Sequence, residues 1–149
     1  MSRNVSVHSG PLTYAQNISV GPHVFQSDEP TDLGGNDAGP NADELLMAAL
    51  GACANITVQM YAQRKQWPLR GVQAALSYAR VLAENSAESG AKIGMVDRIE
   101  MEISFVGDLS EEQQQRLFEI AQRCPVHRML VSQVQIDTRL LVPSSPHHS

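Results

Sequence analysis

"DELLMAALGACANITVQMYAQRKQ", residues 43–66, is the stretch on which the fold turns. It is apolar nearly all round from Leu45 to Ala62 and stops before Trp67 and Pro68, a pattern that predicts a buried central helix rather than a surface helix with one wet face. Its start is marked by Pro40 and then Asn41 as N-cap, with Glu44 three residues on in a capping-box arrangement and Asp43 in the first turn. Ala48, Ala49, Gly51, Ala52 and Ala54 keep the helix thin, so another backbone can approach closely. Gly51 costs about 1 kcal/mol relative to Ala in a helix interior, a cost that close packing offsets. Cys53 shares a stripe with Leu46, Ala49, Leu50, Ile56 and Met60.

Upstream, the first forty residues read as short strands and turns. Leu12, Tyr14, Ile18 and Val20 loosely alternate, and "SGP" and "VGPH" supply turn chemistry. "EPTDLGGNDAGPN" then packs Pro, Gly, Asp and Asn so densely that it is an ordered loop or a disordered linker leading into the helix. Downstream, Val72, Ala74, Leu76 and Tyr78 alternate on one face, as do Ile99, Met101, Ile103 and Phe105, which predicts two half-buried antiparallel strands. "AENSAESGAKIG" joins them as a polar hairpin connection. A second helix opens at Ser110 with Gln113 as its capping-box partner, and places Leu117, Ile120, Ala121 and Cys124 on one face. Pro125 cannot continue that helix but suits the first position of a new one, which makes Cys124 a hinge and an N-cap. "VQIDTRLLV" reads as a last strand, and residues 143–149, "PSSPHHS", as a flexible tail.

A length of 149 residues suits one domain, residues 1–149, with one core. The formal charge of -5 argues against a nucleic-acid partner, because phosphate binding needs clustered Lys and Arg. No uninterrupted apolar run approaches the ~18 residues of a membrane span, and the N-terminus lacks a signal-like apolar segment, so no membrane partner and a cytoplasmic location are expected. No Lys or Arg occurs between Arg3 and Arg64, whereas Asp28, Glu29, Asp32, Asp37, Asp43 and Glu44 all lie in that span.

The two cysteines are either core residues or one chemical device. Cys53 on its own reads as a small buried hydrophobe. Cys124 differs, because a thiol at a helix N-terminus is stabilised as thiolate by free N–H groups and the dipole. In a reducing compartment, a disulfide between them would be transient, catalytic or redox-sensing. The spacing of Cys124 and His127 permits half a metal site, but two cysteines and one histidine lack a fourth ligand, so no metal is expected.

The segments "DEPTDLGGNDAGPNADELLMAALGACANITVQMYAQRKQWPL" and "GDLSEEQQQRLFEIAQRCPVHRML" resemble the OsmC/Ohr family of osmotically inducible and organic-hydroperoxide-resistance proteins, and are most similar to its OsmC-like branch. The resemblance implies an α+β, OsmC-like fold in which antiparallel sheets wrap around central cysteine-bearing helices in an intertwined homodimer. It also implies a thiol-dependent peroxidase acting on organic hydroperoxides in oxidative-stress defence, without metal, flavin or haem and with an external dithiol as reductant. Carried over, Cys53 is the peroxidatic residue and Cys124 the resolving one.

Family peroxidases also pair the attacking cysteine with a glutamate at the start of the cysteine helix and an arginine from the N-terminal region. Asp43 matches the glutamate by motif position, although about 15 Å of helix axis separates it from Cys53. The arginine has no counterpart among residues 4–63. Arg128 or His127, beside Cys124, can supply the cation; Arg3 can reach over from a partner chain; or Cys53 is not strongly activated. The last case leads to an alternative function, a dimeric OsmC-like binding or redox-sensing protein with little peroxidase turnover. A purely structural role for both thiols is the third reading.

Overall fold

The cysteine helix is set in place by a loop built on one buried carboxylate. In the computed structural model, which describes residues 3–83 and 94–141, the Asp28 side chain accepts hydrogen bonds from the backbone N–H groups of Glu29 (2.8 Å), Asn36 (3.1 Å) and Ala38 (3.1 Å). Within this loop Thr31–Leu33 forms a 3-10 turn that ends at Gly34, whose φ of 92° suits glycine and few other residues. Asp28 N–H and Ser27 Oγ both donate to the Pro40 carbonyl, fixing the chain immediately before helix α1, Ala42–Lys65. The expected capping box is present: Asn41 and Glu44 exchange side-chain to backbone bonds at 2.9 and 2.8 Å.

Ahead of the loop, strands β1 (Val5–Ser9), β2 (Gln16–Val20) and β3 (His23–Ser27) form an antiparallel meander in the order β1-β2-β3. Its contact with the helices is at most marginal. After α1, strand β4 (Leu69–Leu82) pairs antiparallel with β5 (Met95–Gly107), matching Val72 with Phe105, Ala74 with Ile103, Leu76 with Met101 and Tyr78 with Ile99. The alternation read from the sequence therefore gives one inward face. Helices α2 (Glu111–Ala121) and α3 (Pro125–Val131) follow, with the Ser110–Gln113 capping box formed as expected.

The core is a single cluster of Leu50, Ala54, Val58 and Ala62 from α1 with Leu117, Ala121 and Cys124, covered by Val72, Leu76, Ile99, Met101, Ile103 and Phe105 of the hairpin. Tyr61 clasps α2 to α1: its phenol oxygen accepts from Arg116 Nε at 3.0 Å, and its ring meets Trp67 edge-on at 5.6 Å. Gly51 makes room for side chains of strand β4 rather than for a helix. A Cβ there would lie 2.9 Å from a Leu76 methyl group.

Two sequence expectations change. The helix read as buried all round is buried on one stripe only; Leu46, Ile56 and Met60 are 44, 52 and 61% exposed, because a single hairpin and two short helices cover one face. By length and composition α1 is also the one described helix apolar enough to cross a membrane, a property shared with core helices. The last strand expected over residues 134–142 is absent among the described residues. Residues 133–141 have no regular structure and are exposed, since a strand exists only where a neighbour pairs its N–H and C=O groups. The hairpin connection (residues 84–93) and the tail (143–149) lie outside the described residues.

Burial acts to raise the Asp28 pKa, but the N–H groups of Ala38, Glu29 and Asn36 outweigh it and hold the carboxyl below its ordinary 3.8. The unfolded chain takes up this proton first as pH falls, so the stabilisation is complete above 3.8 and is lost as pH drops through the lowered value. Asp28→Asn is expected to remove that acid dependence and to accelerate amide hydrogen exchange at Asn36 and Ala38; unchanged exchange would contradict the arrangement.

Candidate functional site

Cys124 sits in the joint between two helices. After the last turn of α2 it adopts an extended conformation (φ -66°, ψ 150°), and Pro125 begins α3 with its fixed φ and no N–H to satisfy. The Cys124 Sγ caps α3 by accepting from the His127 N–H at 3.3 Å, as the sequence predicts. The thiol is fully buried in the core cluster.

Cys53 comes from the middle of α1 and packs against that same cluster while staying half-buried. Its side-chain direction follows from its helix position: Leu50 and Ala54 are core residues on either side, so Cys53 lies at the edge of the buried stripe. The fold sets both cysteines, each a free thiol, at one core cluster, where the nearness of Cys53 adds to the raising of the Cys124 pKa.

The expectation that the helix N-terminus makes Cys124 a thiolate is overturned. Burial is the largest effect and pushes its pKa up, with the hydrogen bond to Cys53 and the charge of Cys53 acting in the same direction; the His127 and Val126 N–H groups oppose them and lose. A seven-residue helix offers little dipole to a group taken fully out of water. Cys124 therefore keeps its proton beyond the range of an ordinary thiol.

The remaining expected site residues lie around this pair. Asp43 is exposed in the first turn of α1, and its charge helps to raise the Tyr78 pKa on β4, behind the larger effects of the Asp97 hydrogen bond, burial and the Asp97 charge. Arg128 is exposed in the last turn of α3. Among the described residues no hydrogen bond or ion pair links either of them to a thiol. Arg3 packs over Gly21 in the β2–β3 turn of its own chain. His127 is half-buried, and its Nδ1 is buried without a hydrogen-bond partner among the described residues.

Sequence reasoning missed Asp97. The Tyr78 hydroxyl donates to Asp97 Oδ1 at 2.6 Å, and Arg80 Nη1 donates to the same oxygen at 3.2 Å. Only the hairpin register, set across the connection, could have revealed this. No group of three or more His, Cys, Asp or Glu side chains suited to a metal ion occurs among the described residues.

In the unfolded chain Cys124 ionises near its ordinary 9.0, whereas the folded chain holds the proton to higher pH, so its contribution to stability is complete below 9.0 and is lost as pH rises through the raised value. Alkylation by iodoacetamide at pH 7.5, followed by peptide mass spectrometry, is expected to label Cys53 first and leave Cys124 protected. Equal labelling rates in the folded protein would contradict this ordering.

Comparison with known proteins places the geometry in context. Among curated proteins no relative matches. Solved structures share the fold. An OsmC-like protein from Mycoplasma pneumoniae superposes with a TM-score of 0.65 at 16% identity, covering 87% of this chain and 87% of that one. An organic hydroperoxide resistance protein OsmC from Legionella pneumophila gives 0.63 at 16% identity over 88% and 90%. The organic hydroperoxide resistance protein OhrB of Bacillus subtilis gives 0.55 at 18% identity over 88% and 91%. The family model for OsmC-like proteins matches residues 34–139, a span running from the loop glycines past both cysteines, and the chain belongs to the OsmC-like protein family.

Proposed function

We propose that this protein is a cysteine-based peroxidase that reduces small organic hydroperoxides in oxidative-stress defence. The observation that carries the reading is the thiol pair itself: a half-exposed Cys53 in the middle of α1 beside a buried Cys124 that keeps its proton. That asymmetry divides the roles. The Cys53 thiolate attacks the distal peroxide oxygen; an S–O bond forms, the O–O bond breaks, and the alkoxide leaves as an alcohol after taking a proton. Cys53 is then a sulfenic acid. The Cys124 thiol attacks its sulfur, a disulfide forms and water departs, which diverts Cys53 from overoxidation. An external dithiol restores both thiols.

A sulfenic acid forms fast only where the attacking thiol is ionised and the departing oxygen is stabilised. We assign Arg128, on the same short helix as Cys124, as the cation, and Asp43, at the start of the cysteine helix, as the carboxylate that orients it. The site is completed in a homodimer. Support comes from surfaces that one chain leaves uncovered: the outer face of α1, the isolated β1–β3 meander, and residues 133–141, where Ile136, Leu140 and Leu141 are 80, 88 and 91% exposed. A second chain would bury these faces, bring Arg3 within reach, and give residues 133–141 a strand to pair with. The cytoplasm, where dithiol reductants abound, is the compartment that fits.

The absence of any Lys or Arg between Arg3 and Arg64 favours one second reading, a dimeric redox sensor or binding protein with the same thiol pair but little turnover.

Steady-state turnover of cumene hydroperoxide with a small dithiol separates the two. The peroxidase reading expects turnover in the parent, none in Cys53→Ser, and a sulfenic acid trapped on Cys53 by dimedone in Cys124→Ser. Removing the cation in Arg128→Gln is expected to slow turnover by about 100-fold, the usual effect of losing a group that stabilises a developing oxyanion. Thiol oxidation without turnover would favour the sensor. No oxidation at all would exclude the peroxidase and the sensor and leave the binding protein.

A further inference from the structure

Helix α3 is held in place by very little. It has seven residues, none of them fully buried, and only Val126 packs against the core cluster. A helix that short does not persist on its own, because one or two turns do not repay the cost of nucleation. Its N-terminal N–H groups therefore count. Pro125 has none, the Arg128 N–H donates to the Cys124 carbonyl at 3.1 Å, and the His127 N–H donates to Cys124 Sγ at 3.3 Å. The side-chain cap of α3 is thus a single sulfur atom.

That sulfur is also one of the two thiols proposed to be oxidised, and it cannot serve both ends. In the thiol form it faces the His127 N–H. To join Cys53 it must turn to α1 and meet the other sulfur at about 2.05 Å with a dihedral of about 90°. A disulfide sulfur is also a weaker acceptor than a thiol. Reduction raises a second difficulty: a dithiol has to reach a disulfide sulfur to attack it, and Cys124 is fully buried while Cys53 is half-buried.

We propose that α3 is a redox-gated clasp: forming the Cys53–Cys124 disulfide uncaps it, and its release exposes the disulfide to an external dithiol. In the reduced chain the cap holds α3 down and keeps Cys124 out of water. In the oxidised chain a dithiol thiolate attacks one sulfur, the other leaves as thiolate and takes a proton, and the second thiol of the reductant closes its own disulfide. Both protein thiols and the cap are then restored. The inference rests on the proposed pairing of the two cysteines, but not on hydroperoxide as the oxidant.

The test compares the full-length chain reduced and after diamide, which takes two electrons and two protons from the thiol pair without any peroxide. Amide hydrogen exchange over residues 126–131 is expected to quicken by about fivefold or more on cross-linking, the ratio set by loss of one N-cap. Exchange at Ala54 and Val58, in the core of α1, is expected to stay the same or slow. Cys124→Ser retains a capping oxygen and cannot cross-link, so its α3 is expected to stay protected in diamide. The gate is tested at Met129, exposed in the middle of α3: Met129→Gly disfavours the helix and Met129→Ala favours it. Dithiothreitol is expected to reduce the disulfide about fivefold faster in Met129→Gly than in Met129→Ala. Unchanged or slower exchange over 126–131 after cross-linking would overturn the release, and equal reduction rates would overturn the gate. Failure of diamide to join Cys53 to Cys124 would overturn both. Release on cross-linking in a protein that does not turn over cumene hydroperoxide would support the clasp and count against the peroxidase reading alone.

Discussion

Cys124 enters the core cluster against which Cys53 packs because Pro125 cannot extend α2. With no N–H to give and a ring that clashes with the preceding turn, it ends one helix, begins another, and leaves Cys124 in the joint with its sulfur turned to the His127 N–H. Leu117, Ala121 and Cys124 then present one continuous face to Ala54 and Val58 of α1, with Cys53 at the edge of the contact. Moving the joint by one residue would rotate Cys124 away from this face and separate the sulfurs. The loop around Asp28 does the matching work at the other side by fixing where α1 starts.

A single chain satisfies only part of its own hydrophobic pattern. The hairpin and the short helices cover one stripe of α1, while the meander stands apart and the C-terminal segment runs exposed with its apolar side chains outward. In the proposed homodimer these three surfaces are one feature seen in pieces, namely the area a second copy would bury. The same picture accounts for the thinness of α1, since Ala48, Ala49 and Ala52 would let a second helix approach on the side away from Leu76.

Much of the fold was legible because it is written in local chemistry. Both capping boxes, the alternating faces of β4 and β5, and the break at Pro125 depend on residues within a few positions of one another, and all are present in the structure. The C-terminal strand was misread because alternation signals a strand only when a partner edge exists. The protonation of Cys124 was misread for a related reason: position at a helix start is visible in sequence, but the depth of burial that overrides it comes from three separate elements. Asp97 became relevant only through register, which sets it beside Tyr78 and Arg80. The pairing of Cys53 with Cys124 lay between these cases. A family resemblance implied it, and the packing of α1 against the Pro125 joint sets both residues at one core cluster.

The central claim is that Cys53 and Cys124 of one chain form a single redox device. Peptide mapping by mass spectrometry after one equivalent of cumene hydroperoxide tests it most directly. The account predicts loss of two hydrogen atoms per chain and one cross-linked peptide pair joining Cys53 to Cys124, reversed by a dithiol. Recovery of both cysteines as unmodified thiols, or of Cys53–Cys53 links between chains, would contradict it.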